Sequence, residues 1–278
     1  MTQRWVCLLG QPVAQSHSPI MHNAGFAAVG LDARYYAHEV SPADLADAVQ
    51  ALRAPDCLGA NVTAPHKQAV LPFMDELSEH ARLFGAVNTI VNQAGRLTGD
   101  NTDARGLARW LREADIDATG QAVALLGAGG VAGAVIWALA DLGARSVLVL
   151  NRTPQRAETL VSRLRSHVPV ELASAPLETA GYPRQDPFAI VVNATSMGHH
   201  GGAPKIDPGW YSPESVAIEL AYNPPETGFM RSARAAGARA ENGLGMLLHQ
   251  AVLAFECWTG QTPPVAVYER ALMGAAAI

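Results

Sequence analysis

Four short segments in the N-terminal part of the chain concentrate polar side chains that could bind a small, hydroxyl-rich ligand. They are residues 16–19 (S-H-S-P), 61–67 (N-V-T-A-P-H-K), 85–89 (G-A-V-N-T) and 99–103 (G-D-N-T-D). The second segment places three hydrogen-bonding side chains and the cation of Lys67 in one turn. Ligands of open α/β sheets bind at strand ends, so segments that follow strands predict a polar ligand site. Taken alone, Ser16 and Ser18 could equally be the ordinary start of a helix.

A second group of residues has the spacing of a dinucleotide-binding turn. G-A-G-G-V-A at residues 127–132 is a G-x-G-x-x-A motif between a strand-like and a helix-like run. Gly127 would permit the tight turn, Gly129 would let the backbone approach a pyrophosphate, and Ala132 would keep the helix near the strand. The N–H groups at the start of the helix would bind phosphate oxygens. This context predicts a Rossmann domain that binds a dinucleotide.

The end of the next predicted strand distinguishes NADP from NAD. An NAD site usually has a carboxylate there to bind the ribose hydroxyls. Residues 150–156 are L-N-R-T-P-Q-R, with two arginines, Arg152 and Arg156, and no carboxylate. A guanidinium group suits the 2′-phosphate of NADP through charge-assisted hydrogen bonds. The alternative is an ordinary solvated arginine at a helix start, and the missing acid favours NADP over it.

Strand-like and helix-like runs alternate along the chain and must position these residues. Strands are predicted at 4–10, 34–38, 58–62, 123–126, 146–150, 188–192 and 216–220. Helices are predicted at 20–29, 105–113, 131–142, 154–165, 247–258 and 265–273. Ser41, Pro42 and Asp44 predict a further helix, with Ser41 as its N-cap. This alternation predicts an α/β fold with a doubly wound parallel sheet.

Composition and charge exclude several classes of protein. A chain of 278 residues suggests about two domains, and 49% apolar residues supply ample core material. The net charge of −5 is spread without a basic stripe, so we expect no nucleic-acid partner. The uncharged run 122–140 could be read as a membrane span, but its glycines favour a strand, a turn and a helix.

The cysteines and the first residues predict where the protein resides. Cys7, Cys57 and Cys257 lie far apart and form no C-x-x-C pair. This pattern is typical of free thiols in a reducing compartment and gives no zinc site, so no metal is expected. The apolar run at the N-terminus is too short for the core of a signal peptide. We therefore expect a cytoplasmic protein.

Eight motifs in a fixed order resemble the shikimate dehydrogenase family over nearly the whole chain. They are S-x-S-P, N-V-T-x-P-x-K, G-A-V-N-T, G-D-N-T-D, G-A-G-G, N-R-T, N-A-T-S and G-L-G-M-L-x-x-Q. The resemblance implies NADP-dependent reduction of 3-dehydroshikimate to shikimate, a step of aromatic amino-acid biosynthesis. It also implies two α/β domains. Residues 1–104 and 243–278 would form an open, mostly parallel substrate-binding and catalytic domain, and residues 105–242 a doubly wound Rossmann NADP domain.

The resemblance also assigns roles to particular residues. Lys67 and Asp103 resemble the catalytic pair. The implied substrate contacts are Ser16, Ser18, Thr63, Lys67, Asn88, Asp103, Tyr222 and Gln250. The implied cofactor contacts are Gly127, Ala128, Gly129, Gly130, Val131, Asn151, Arg152, Thr153, Pro154, Gln155, Arg156, Leu220 and Gly243, with Glu79 as a weaker candidate. The chain departs from the commonest family pattern at Ala104, where glycine is frequent, and at M-G-H-H after N-A-T-S.

The proposed chemistry suits a lysine beside a carboxylate. Hydride transfer to a ketone leaves negative charge on the oxygen, and a proton must arrive there. Lys67 could stabilise that charge and donate the proton, and Asp103 would favour the charged lysine. Which of the two holds the mobile proton stays open, because their titrations are coupled. His66 is a second acid–base candidate for which we expect a structural role, and His199 and His200 are expected in a solvent-facing loop.

Two alternative functions are compatible with the same motifs. A quinate or quinate/shikimate dehydrogenase would share them, although two serines and a cofactor strand without an acid favour shikimate with NADP. A nucleotide-sensing module that has lost turnover would share the fold, and Lys67 with Asp103 argues against it. The expected partners are the small-molecule substrate and the cofactor, without a membrane. The expected assembly is a monomer or a homodimer.

Overall fold

The computed structural model describes residues 3–182, 185–198 and 202–276, and contacts divide the chain into two compact units. Unit 1 comprises Met1–Gly106 and Leu248–Ile278, and unit 2 comprises Leu107–Leu247. Each unit contains a six-stranded sheet with helices packed against it. The two-domain α/β fold is therefore confirmed. The assignment of substrate to residues 1–104 and 243–278 and of cofactor to residues 105–242 stays a prediction.

The sheet of unit 1 combines parallel and antiparallel neighbours. Its strands are β1 (Arg4–Gly10), β2 (Ala33–Glu39), β3 (Cys57–Val62), β4 (Glu76–Leu77), β5 (Thr89–Gln93) and β6 (Arg96–Asp100). They lie in the order β2-β1-β3-β5-β6-β4. The pairs β1–β2, β1–β3 and β4–β6 are parallel, whereas β5 runs antiparallel to β3 and β6. Every residue of β3 is buried, as expected for a central strand covered on both faces.

Antiparallel pairing brings three of the predicted polar segments to one edge of this sheet. Asn61 near the end of β3 is paired with Thr89 at the start of β5, and Thr89 with Asp100 at the end of β6. The end of β3, the start of β5 and the end of β6 therefore share an edge. Because β1 is parallel to β3, the chain also leaves β1 at this edge and continues to residues 16–19.

Helices cover this sheet, and one predicted helix start is wrong. The helices within unit 1 are α1 (Ser18–Ala28), α2 (Leu45–Ala51), α3 (His66–Ala69), α4 (Glu79–Phe84) and α10 (Val265–Ala276). The helix α2 begins at Leu45 with Asp44 as its N-cap residue, so Ser41 does not cap it. The Ser41 hydroxyl instead donates to the Asp44 carboxylate at 2.5 Å, and this bond closes a turn before the helix.

Unit 2 has the doubly wound sheet that the sequence predicts. Its strands are β7 (Ala122–Leu126), β8 (Ser146–Asn151), β9 (Glu171–Pro176), β10 (Ile190–Asn193), β11 (Val216–Glu219) and β12 (Arg239–Asn242). All neighbours in the order β12-β11-β10-β7-β8-β9 are parallel. Counted from β7, this is the Rossmann order 3-2-1-4-5-6, whose ligand crevice lies where the winding reverses, between β7 and β10.

Helices connect strands of the unit 2 sheet, and two further helices contain the boundaries between the units. The helices α6 (Ala132–Asp141), α7 (Pro154–Leu164) and α8 (Gly228–Ala235) lie within unit 2. The boundaries at Gly106 and Leu248 fall inside α5 (Asp103–Glu113) and α9 (Leu244–Thr259).

The described residues also test the membrane and cysteine predictions. The uncharged run 122–140 forms the strand β7, a glycine turn and most of α6, as predicted. Among the described residues, no helix combines the length and the apolar character needed to cross a bilayer. Cys7, Cys57 and Cys257 are free thiols, as the sequence predicts. No group of His, Cys, Asp or Glu side chains in the described ranges has a metal-binding arrangement.

Candidate functional site

Lys67 and Asp103 form an ion pair at the polar edge of the unit 1 sheet. Lys67 lies in α3, the single turn of helix after β3, and Asp103 is the first residue of α5. The Lys67 Nζ lies 2.5 Å from Asp103 Oδ2. The Asp103 side chain is only 4% exposed and that of Lys67 19%. A carboxylate so buried requires compensation, which the ammonium and the positive N-terminal end of α5 provide.

Asn88 compensates the second oxygen of the same carboxylate. Its Nδ2 donates to Asp103 Oδ1 at 2.8 Å and to the Thr102 hydroxyl at 3.0 Å. The backbone N–H of Thr102 donates to Asn88 Oδ1 at 2.8 Å. Asn88 and Asp103 are 15 residues apart in the chain, and the β5–β6 hairpin brings them together. Both carboxylate oxygens of Asp103 thus face fixed donors.

Gln250 joins this group from the last part of unit 1. Its Oε1 accepts a hydrogen bond from Asn88 Nδ2 at 3.4 Å. The backbones of α5 and α9 touch here, since a Cβ on Gly106 would lie 2.6 Å from the Gln250 nitrogen. This close approach places the Gln250 side chain beside Asn88.

The remaining predicted substrate contacts of unit 1 lie on the loops after β1 and β3. Ser18 is buried at the start of α1, and its N–H donates to the Ser16 hydroxyl at 3.2 Å. His17 occupies the N-cap position of α1, so neither serine is the N-cap residue. Thr63 is half-buried, and its N–H donates to the Leu9 carbonyl at 2.9 Å.

Tyr222 and Glu79 belong to different units from the residues with which they were grouped. Tyr222 follows β11 in unit 2, whereas the other predicted substrate contacts lie in unit 1. Glu79 is the first residue of α4 in unit 1, whereas the other predicted cofactor contacts lie in unit 2. The roles of both residues stay predictions.

The glycine turn of unit 2 has the geometry that a pyrophosphate requires. Gly127 has a φ of +106°, and a Cβ there would lie 2.8 Å from the Ala194 carbonyl oxygen. A Cβ on Gly129 would meet no atom of the described residues within 4 Å, so the backbone there is open to a ligand. Val131 is the N-cap residue of α6 and gives no side-chain cap, and the first turn of the helix contains no acidic residue. The start of the helix without a side-chain cap and the open backbone at Gly129 fit a bound phosphate.

The end of β8 offers a second anion-binding surface beside the first. Asn151 Oδ1 accepts the Ala128 N–H at 3.1 Å, which ties the glycine turn to this strand. Arg152 and Arg156 are exposed on either side of the start of α7, whose first turn has no acidic residue. Thr153, Pro154 and Gln155 complete this segment. Two guanidinium groups at a helix N-terminus fit the 2′-phosphate of NADP better than the diol of NAD.

Leu220 and Gly243, which the sequence places far apart, are neighbours in unit 2. A Cβ on Gly243 would overlap the Leu220 carbonyl oxygen, so only glycine permits this approach. Gly243 also donates its N–H to the Ala221 carbonyl at 3.3 Å. Both residues lie just beyond the carboxyl ends of β11 and β12, the side of a Rossmann sheet on which dinucleotides bind.

Glu219 is a residue of this region that the sequence analysis did not identify. Its side chain at the end of β11 is fully buried. It accepts hydrogen bonds from Asn193 Nδ2 at 2.7 Å, from the Thr227 hydroxyl at 3.0 Å and from the Ala221 N–H at 3.1 Å. Burial raises the pKa of Glu219 above its ordinary value of 4.5, although these donors oppose the shift. The sequence signal that could have identified Glu219 is a carboxylate at the end of an otherwise apolar strand.

The histidines near the site have different positions. His66 is buried, and its Nε2 lies 2.7 Å from the Val40 carbonyl oxygen, which fits the structural role expected for it. His199 and His200, which depart from the family pattern, lie outside the described residues.

Family comparisons cover the chain in three parts. The family described as "Shikimate dehydrogenase substrate binding domain" matches residues 8–90, "Shikimate / quinate 5-dehydrogenase" matches residues 110–182, and "Shikimate 5'-dehydrogenase C-terminal domain" matches residues 243–273. The shikimate dehydrogenase (NADP(+)) of Moorella thermoacetica is 44% identical over 274 residues, which are 96% of this chain and 92% of that protein. The chain belongs to the shikimate dehydrogenase family.

Solved structures of shikimate dehydrogenase relatives have the same fold. The shikimate 5-dehydrogenase of Thermus thermophilus, in complex with NADP(H) and shikimate, is 37% identical with a TM-score of 0.86, covering 98% of this chain and 99% of that one. The quinate dehydrogenase of Corynebacterium glutamicum, in complex with NAD, is 33% identical with a TM-score of 0.86 over 98% and 99%. Because this fold carries both activities, substrate and cofactor must be argued from particular residues.

The buried carboxylate of Glu219 predicts a pH-dependent contribution to stability. Its raised pKa means that the folded protein binds this proton more tightly than the unfolded chain. The contribution of Glu219 to the free energy of unfolding should therefore fall as the pH rises above about 4.5. Urea unfolding of the unchanged protein and of Glu219→Gln between pH 5 and 8 measures this effect. The stability of the unchanged protein relative to the variant should decrease with pH. A difference that stays constant would contradict the prediction.

Proposed function

We propose that this protein is an NADP-dependent oxidoreductase that interconverts 3-dehydroshikimate and shikimate. The observation that carries the proposal is the Lys67–Asp103 ion pair, 2.5 Å long and largely buried at the ligand edge of unit 1. Family membership supports it, and the Moorella thermoacetica relative bears the name of this NADP-dependent activity. Unit 2 supplies a glycine turn and an arginine pair that fit the cofactor.

Different residues of unit 1 would carry out proton transfer and substrate binding. When bound, NADPH supplies a hydride to the ketone carbon of 3-dehydroshikimate. The Lys67 ammonium stabilises the charge that develops on the ketone oxygen and delivers a proton to it. Asp103 holds the ammonium in place, and Asn88 holds Asp103. In the opposite direction, the proton of the shikimate hydroxyl passes to the Lys67–Asp103 pair.

Binding of the ring would fall to the side chains around the pair. Ser16, Ser18 and Thr63 lie on the loops after β1 and β3, and Asn88 and Gln250 lie beside Asp103. Tyr222 is proposed as a further contact. Hydroxyl and amide groups of this kind suit the carboxylate and hydroxyls of shikimate.

Shikimate is favoured over quinate as the substrate. Quinate carries one more hydroxyl group, and the two serines together with the arginines at β8 fit shikimate and NADP. A nucleotide-sensing module is not supported, since such a protein would have no use for a buried ion pair in the substrate unit. A cytoplasmic location, on the evidence of free thiols, and a monomeric or homodimeric state remain predictions.

Replacing Lys67 tests its role in the transition state. Lys67→Ala should lower kcat by about two to four orders of magnitude, the usual range for a lost acid–base group. The KM for shikimate should change much less, because the other contacts still hold the ring. Steady-state oxidation of shikimate, followed by NADPH absorbance, measures both constants. Near-normal kcat with a much higher KM would show that Lys67 only binds substrate.

The control for this experiment is a double-variant cycle. Asp103→Asn should also lower kcat, because it leaves Lys67 without its charged partner. The two losses should not add in the double variant if the pair acts as a unit. Fully additive losses would indicate that the residues act independently.

Replacing Arg152 tests the choice of cofactor. The unchanged protein should prefer NADP to NAD by at least about tenfold in kcat/KM, the contribution of roughly one charge-assisted contact. Arg152→Asp should reduce this preference chiefly by raising the KM for NADP. Kinetics with both cofactors at saturating shikimate measure the ratio. Equal use of the two cofactors by the unchanged protein would refute the proposed role of the arginines.

Replacing Ser16 separates substrate binding from a purely local role. Ser16→Ala should weaken shikimate binding by about fivefold, equivalent to roughly 1 kcal/mol for one lost hydrogen bond. Calorimetric titration with shikimate and, separately, with NADP measures both affinities, and NADP binding should be unchanged. Because the Ser16 hydroxyl also accepts the Ser18 N–H, thermal unfolding is recorded in parallel. Lower thermal stability with unchanged shikimate affinity would assign Ser16 to the local turn alone.

A further inference from the structure

A chain of buried polar side chains lies behind the Lys67–Asp103 pair, within unit 1. The Tyr35 hydroxyl on β2 donates to Asn61 Oδ1 at 2.9 Å. Asn61 Nδ2 on β3 donates to the Thr89 hydroxyl at 3.3 Å and to the Asn88 carbonyl at 3.1 Å. The Thr89 hydroxyl on β5 donates to Asn88 Oδ1 at 2.9 Å. The chain therefore reaches the residue that binds Asp103.

The donors and acceptors of this chain all run in one direction. Because the Tyr35 hydroxyl is donated to the Asn61 oxygen, the Asn61 NH2 group must face Thr89. The Thr89 oxygen accepts from Asn61, so its single proton is left for Asn88 Oδ1. Each link thus fixes the orientation of the next one.

The last link and the Thr102 N–H together determine which end of the Asn88 amide faces Asp103. Asn88 Oδ1 receives the Thr89 hydroxyl and the Thr102 N–H, and both are donors at this position. The amide oxygen must therefore point toward them, and the NH2 group toward Asp103 Oδ1. A reversed amide would place its oxygen against a carboxylate oxygen and its NH2 against an N–H group.

Packing alone does not require a hydroxyl group at position 89. Thr89 is fully buried in a strand, where valine has nearly the same shape and a high preference for strands. A buried hydroxyl loses its hydration and is tolerated only because hydrogen bonds replace it. The hydrogen-bond partners of the Thr89 hydroxyl are Asn61, Asn88 and, at 3.5 Å, the Thr102 hydroxyl, and all three belong to the network around Asp103.

We propose that Thr89 is a positioning residue for the Lys67–Asp103 pair, because its hydroxyl orients the Asn88 amide so that the NH2 group faces Asp103. The proposal rests on the dehydrogenase function for its kinetic consequence. Its structural consequence, the orientation of Asn88, is independent of that function. Asn61 and Tyr35 support the same orientation from behind.

Thr89→Val removes the hydroxyl with little change in shape. We expect kcat for shikimate oxidation to fall about five- to tenfold, the effect of one lost hydrogen bond. The KM and the calorimetric affinity for shikimate should change by less than about threefold, since most contacts to the ring remain. Thr89→Ser, which keeps the hydroxyl, should restore kcat to within about twofold of the unchanged protein. An unchanged kcat in Thr89→Val would overturn the proposal.

Two controls separate positioning from a general loss of stability. Ser215 is an equally buried hydroxyl in unit 2, where it donates to the Phe188 carbonyl at 2.6 Å. Ser215→Ala should lower the thermal unfolding temperature and leave kcat unchanged. In an Asn88→Ala background, Thr89→Val should cause no further loss of kcat, because it acts through Asn88. Losses that add in the double variant would overturn the proposal.

Crystal structures of the unchanged protein, Thr89→Val and Thr89→Ser give a readout that does not depend on turnover. The Asn88–Asp103 hydrogen bond should lengthen in Thr89→Val, where the Thr89 hydroxyl no longer holds the Asn88 oxygen and the Thr102 N–H remains, and it should keep its length in Thr89→Ser. An Asn88–Asp103 hydrogen bond that is unchanged in Thr89→Val would overturn the proposal even if the protein did not oxidise shikimate. An inactive unchanged protein would overturn the proposed function alone.

Discussion

The burial of one carboxylate, that of Asp103, constrains most of the polar architecture of unit 1. A carboxylate this inaccessible is stable only when both oxygens have partners, since an unpaired buried charge costs several kcal/mol. Lys67 occupies one oxygen and Asn88 the other. Asn88 must itself be held, which requires Thr102 and Thr89, and Thr89 in turn requires Asn61. The same arrangement that makes the charge tolerable leaves a lysine ammonium at the polar edge of the sheet.

The reversal of strand direction at β5 brings the polar segments together at one edge of the sheet. A parallel strand in the place of β5 would begin at the opposite edge of the sheet, because parallel strands run in the same direction. The antiparallel pairs β3–β5 and β5–β6 instead place the end of β3, the start of β5 and the end of β6 at the same edge. The parallel sheet of unit 2 solves a different problem, since its glycine turn and helix start require a strand followed by a helix on one side.

Local patterns predicted the parts of this structure that depend on local chemistry. The glycine motif correctly predicted β7, the turn and α6, because tight turns and helix starts are determined by neighbouring residues. The strands β9 and β12 and the helix α8 were missed, since E-L-A-S-A-P and R-A-E-N carry too few apolar residues to stand out. Lys67 and Asp103 are 36 residues apart in the chain, and hydrophobic periodicity does not predict contacts at such a separation. The pair was predicted only from the family resemblance. Ser41 satisfied every rule for an N-cap, yet its hydroxyl was taken by the Asp44 carboxylate. The sequence alone does not distinguish Glu219 from a solvated acid, because its burial depends on the strands that pack around it.

The division of unit 1 between two chain segments has a consequence for how the protein is made on the ribosome. Unit 2 is one continuous stretch and can fold once residue 247 has left the exit tunnel, because domains generally fold as units during synthesis. Unit 1 cannot be completed at that stage. Gln250 lies beyond that point, and Tyr268, whose hydroxyl bonds the buried His22 of α1 at 3.0 Å, comes later still. At that stage the nascent chain contains all six strands of unit 1, but most of α9 and all of α10 have not yet emerged. The apolar surfaces of the unit 1 sheet and of α1 that α9 and α10 cover are therefore exposed during this interval, and we expect chaperones to bind the chain then.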